Sequence, residues 1–97
     1  MSSRSRYLVE LVAPSSGWQD LQQLTARARA GAEELSSEGI AVRFLRSIYV
    51  PEDQSCFFLY EGDTTEAVGE AGRRARLQIA GIAETLHAEA EVEEELR

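Results

Sequence analysis

The chain has 97 residues, 43% hydrophobic and 28% charged, a balance that fits one globular domain and is too apolar for a disordered chain. Its net charge of −7, with ten basic residues that are all Arg, argues against nucleic acid as a partner, because phosphate binding rests on clustered cations. A lone Cys56 excludes an internal disulfide and any paired-cysteine metal or redox motif, which fits a reducing cytoplasm.

Residues 1–6 are polar and read as a disordered N-terminus, with a single domain over 7–87 and an acidic, helix-prone tail over 88–97. Tyr7-Leu8-Val9-Glu10-Leu11-Val12 suits a pleated surface and stops at Pro14, which predicts a first strand. Glu10 interrupts this apolar run, which is too short for a membrane span and does not have the form of a signal peptide, so no membrane partner is expected. Ser16 and Gln19 have capping-box spacing and predict a helix start. Trp18, Leu21, Leu24, Ala28, Ala32 and Leu35 then recur at intervals of three and four, one stripe of a helix ending near Ser37, with Gly39 placed to terminate it.

Ala41 to Val50 predicts a second strand and Cys56 to Glu61 a third, joined as a hairpin by the polar segment 51–55. Asp63-Thr64-Thr65-Glu66 opens a second helix with Val68, Ala71 and Ala75 toward the sheet. Arg73, Arg74 and Arg76 complement the carbonyl end of that helix and read as structural. After a turn over 78–81, residues 82–87 predict a fourth strand, although their Ala and Glu content also suits a helix. The order β, α, β, β, α, β is the split pattern of an α+β ferredoxin-like sandwich, with two helices on one face of a four-stranded antiparallel sheet. The other face is left bare in a domain that buries only about two-thirds of its unfolded surface, so a homodimer of the dimeric α+β barrel type is expected.

Three segments carry a resemblance: Tyr7-Leu8-Val9-Glu10, Ser47-Ile48-Tyr49-Val50 with Asp53 behind it, and Cys56-Phe57-Phe58-Leu59-Tyr60-Glu61. With them the chain resembles a small actinobacterial nickel-binding protein family of ferredoxin-like domains, over roughly residues 7–87. The resemblance implies a ferredoxin-like fold, dimers joined through sheets and, for one branch, nickel. Where the family's pattern has Gly and Pro after the second helix, this chain has Arg76 and Gln78.

No catalytic or nucleotide-binding motif is present in the sequence. The candidates are polar groups on strands. Glu10 is expected to face Arg43 or Arg46 as a cross-strand ion pair, or to act as a base with Tyr49, Tyr60 and Arg46 orienting a substrate. Ser47, Cys56 and Phe58 are candidate ligand contacts, since alternation puts Cys56, Phe58 and Tyr60 on one face that would suit a pocket between open sheets. Glu10, Cys56 and His87 are the candidate metal donors, Cys56 reading more simply as a small buried hydrophobe.

Two readings of function follow: a dimeric small-ligand or divalent-metal binder, and a cofactor-independent enzyme of cyclase or monooxygenase type acting on an aromatic or polyketide-like substrate. An interaction module using the acidic tail is a third. No cofactor is read from the residues themselves, and nickel enters through the resemblance alone.

Overall fold

The computed structural model describes residues 4–86; His87 and the acidic segment 88–97 lie outside the described residues. The first strand, β1 (Ser5–Leu11), turns Tyr7, Val9 and Leu11 into the core and leaves Arg6, Leu8 and Glu10 on the opposite face. Ser5 and Arg6, expected in a disordered leader, already pair with Gly62 and Glu61.

The first helix, α1 (Leu21–Ser37), begins later than the Ser16–Gln19 spacing implies. Gly17 sits at φ 90° and its N–H donates to the Pro14 carbonyl at 3.0 Å, so the chain turns here before it can coil. Asp20 flanks the helix without a side-chain cap. Trp18 therefore lies off the helix. Its Nε1 donates to the Gln54 carbonyl at 3.0 Å, and its ring meets Tyr49 edge-on at 6.4 Å, tying the entry loop to the end of the next hairpin. Gly39 closes the helix at φ 95°, as its position predicts.

The hairpin consists of β2 (Val42–Val50) and β3 (Ser55–Gly62), joined by a 3-10 turn at Pro51–Asp53. A bulge at Leu45 separates the Phe44–Tyr60 pair from the Arg46–Leu59 pair. It resets the alternation, sending Arg46 and Ile48 to the bare face and Ser47 and Tyr49 to the helical side. The second helix, α2 (Thr65–Arg74), starts at Thr64, whose Oγ1 accepts from the Ala67 N–H at 3.0 Å. The last element is a strand, β4 (Ile79–Thr85), beginning three residues before the expected 82–87 because the turn falls at Arg76.

The strands order β2-β3-β1-β4 and every pairing is antiparallel, the ferredoxin-like α+β arrangement. Beneath the helices lies a core of Val9, Leu35, Cys56, Phe58, Tyr60 and Val68, all inaccessible to solvent. Phe44 sets its ring edge-on against Phe58 and Tyr60, at 5.2 and 5.4 Å. The helices meet through small residues: a Cβ on Gly31 would stand 2.9 Å from the Ala71 carbonyl oxygen. No helix among the described residues is long and apolar enough to cross a membrane.

Candidate functional site

The bare face of the sheet is assembled by register. Leu8 lies between Leu59 and Ala83, and Glu10 lies between Phe57 and Gly81. Ile48 extends the apolar surface beyond Phe57, and Arg46 sits beyond Leu59. Gly81 has no side chain, and a Cβ built there would meet nothing within 4 Å. A hollow of about 220 Å³ results, lined by Leu8, Glu10, Phe57, Gly81, Ile82 and Ala83. Glu10 is exposed at its rim and has no ion-pair partner among the described residues.

The expected Glu10–Arg43 or Glu10–Arg46 pair is not made, because β3 lies between β1 and β2. Arg43 instead faces Glu61 on the adjacent strand, with Nη2 3.3 Å from Oε1.

The face assigned to Cys56, Phe58 and Tyr60 also needs correcting. The three do share a face, but it is the helix-covered one, and each is fully buried. Ala28, Ala32 and Leu35 of α1 and Ala67, Val68 and Ala71 of α2 belong to the same buried cluster, so Cys56, Phe58 and Tyr60 form core and not the wall of an open pocket. Ser47 pairs with Phe58 and Tyr49 with Cys56 on that same side. Of the proposed catalytic set, Glu10 and Arg46 share the bare face, while Tyr49 and Tyr60 are separated from them by the sheet itself.

Burial pushes the Tyr60 phenol well above its ordinary range, and its hydroxyl has no hydrogen-bond partner among the described residues. Burial likewise raises the Cys56 thiol, disfavouring the thiolate that a metal or an electrophile needs.

Of the candidate metal donors, His87 lies outside the described residues, and Glu10 and Cys56 do not meet. Nickel favours imidazole and thiolate ligands held at one point, yet Cys56 is sealed beneath the helices while Glu10 stands on the other face. Among the described residues no group of three or more His, Cys, Asp or Glu side chains could hold a metal ion.

Neither Gly81 nor Phe57 carried a signal for the site in the sequence. Glycine in a strand marks open space only once the register is known, and Phe57 alternates with the Cys56, Phe58 and Tyr60 set expected to form the pocket face.

No family model matches the chain. No curated protein matches it either. Among solved structures, the fold is similar to that of SCO4226 from Streptomyces coelicolor A3(2), with a TM-score of 0.62 and 19% identity over 87% of this chain and 99% of the other. At that identity the likeness is one of fold.

Proposed function

We propose that the chain is a small-molecule-binding domain that works as a homodimer, two copies meeting bare face to bare face over the hollow beside Glu10. The observation that supports this most is a carboxylate with no ion-pair partner among the described residues, at the rim of an otherwise apolar depression on the sheet face opposite α1 and α2. Leu8, Ile48, Phe57 and Leu59 are each only half-buried there. A second copy would remove their remaining surface from water, and each contributes part of the ~1.5–3 kcal/mol that full burial of a side chain of this size is worth. A carboxylate enclosed by the same surface needs a partner of its own. The ligand class is accordingly an apolar, aromatic or polyketide-like molecule that presents a hydroxyl or amine donor to Glu10.

The test is calorimetric titration of a panel of hydroxylated and amino-substituted aromatics into the wild type, Glu10→Gln and Gly81→Leu. Losing the charged acceptor should weaken a bound ligand by about tenfold. A leucine at position 81 should exclude the ligand by filling the hollow without touching the fold. Affinity that both substitutions leave unchanged would overturn the assignment.

A further inference from the structure

On the helical side, at the far end of β1, the structure holds a second and larger cavity of about 360 Å³. Three segments build it: the loop after β1, the first turns of α1, and the turn between α2 and β4. The Val12 N–H donates to the Gln78 carbonyl at 2.8 Å and closes the floor. Trp18, Leu24 and Leu77 give apolar walls, and the lining arginines are Arg27 and Arg76, which also border an adjoining cleft that Glu34 and Arg74 line.

None of the described residues lining this cavity is acidic. That is unusual in a chain of net charge −7. Arg27 and Arg76, like Arg6, Arg29 and Arg46, have no carboxylate within 4 Å among the described residues, and of these five only Arg27 and Arg76 line this cavity. Arg27 is held in place through other partners: its Nε donates to the Ala75 carbonyl at 2.9 Å and its Nη2 to the Arg76 carbonyl at 3.0 Å. The guanidinium thus sits at the carbonyl end of α2 with donors left over.

Arg76 adds a second, independent observation. Its N–H donates to the Arg73 carbonyl and the Leu77 N–H to the Gly72 carbonyl, both at 3.0 Å, which makes Arg76 the left-handed residue of a Schellman turn. Its φ is 60°, a conformation that costs any residue with a Cβ and that glycine fills most readily. A long cationic side chain held in that strained conformation, at the mouth of a cavity that already contains another arginine, points to an anion.

We propose that this cavity binds a small apolar carboxylate, its acid group met by Arg27 and Arg76 and its apolar body resting on Trp18, Leu24 and Leu77. The site is separate from the hollow on the bare face and does not depend on it.

The probe is 2-naphthoate, with neutral 2-naphthamide as its isostere, titrated into the full chain while the backbone amides are followed by NMR. Naphthoate should shift the amides of residues 11–13, 15–18 and 76–78 and bind at least about tenfold more tightly than 2-naphthamide. Arg76→Gly should reduce naphthoate binding by a similar factor, leave naphthamide unchanged and remain folded, since glycine suits that backbone. Gly81→Leu should have no effect on naphthoate. Several results would overturn the proposal: no naphthoate binding at millimolar concentration, equal affinity for acid and amide, shifts confined to other residues, or undiminished binding by Arg76→Gly. A synthetic peptide of residues 88–97 that shifts the same amides more strongly than naphthoate would give the cavity to the chain's own acidic segment, and would equally overturn it.

Discussion

Arg74 on α2 holds Glu38 at the end of α1 with both terminal nitrogens, Nη1 at 2.6 Å from one carboxylate oxygen and Nη2 at 3.0 Å from the other, while its Nε reaches Glu70 at 3.0 Å. A bidentate contact of this kind fixes orientation as well as charge. The hydrogen bonds from Arg74 hold the Glu38 carboxyl below its ordinary value of 4.5 and raise the guanidinium above its own. The folded state therefore favours ionised Glu38 more than the unfolded state does. That contribution is fully present above the unfolded value and is lost as pH falls through the folded one. Both groups are partly solvated, so the effect is modest and salt-sensitive. Urea unfolding at pH 7 and pH 3 should show that Glu38→Gln lowers stability at the higher pH and narrows the difference between the two. An unaltered pH dependence would remove the pair from the account.

Tyr60→Phe should leave the protein at least as stable as the wild type, with a gain of up to about 1 kcal/mol, because it removes a buried hydroxyl that no described residue satisfies. The shift in urea midpoint measures it. A loss of stability would mean that the hydroxyl is well bonded in solution.

Cys56 should resist Ellman's reagent in the native protein and react at once in denaturant, since its side chain is sealed and burial disfavours the thiolate. Adding nickel should not change that rate. Protection by nickel would restore the thiol as a ligand.

Gly31→Ala sets helix propensity against a steric clash. Alanine is preferred in a helix interior by about 1 kcal/mol. Its Cβ, however, would lie 2.9 Å from the Ala71 carbonyl oxygen, a backbone atom that cannot rotate away. Forcing the helices apart costs about 1–3 kcal/mol, so the variant should unfold at lower urea. A stabilised variant would show that the two helices can separate freely.

The element order was legible because hydrophobic period and turn residues agree: the stripe through Ala28, Ala32 and Leu35 does face the core, and Thr64 and Gly39 do stand at helix ends. Ser16 and Gln19 misled because capping spacing says nothing of the backbone, and a left-handed Gly17 intervenes. The faces were harder. Alternation grouped Cys56, Phe58 and Tyr60 correctly, but which group the helices cover depends on packing across the whole sheet. Arg46 could not be placed at all, because the bulge at Leu45 that sets its face is a property of pairing with β3. Arg76 read as an ordinary charge near a helix end. Its left-handed backbone and the cavity it lines emerge only in three dimensions.

The most direct test of the central claim is the mass in solution, by light scattering at micromolar concentration, of the wild type beside Leu59→Glu. The substitution puts a charge between Leu8 and Arg46, on the apolar surface a second copy would bury, and leaves the helix-covered core untouched. A dimer joined through the bare faces should give twice 10.7 kDa for the wild type and 10.7 kDa for the folded variant. A wild type of 10.7 kDa, or a variant that still dimerises, would contradict it.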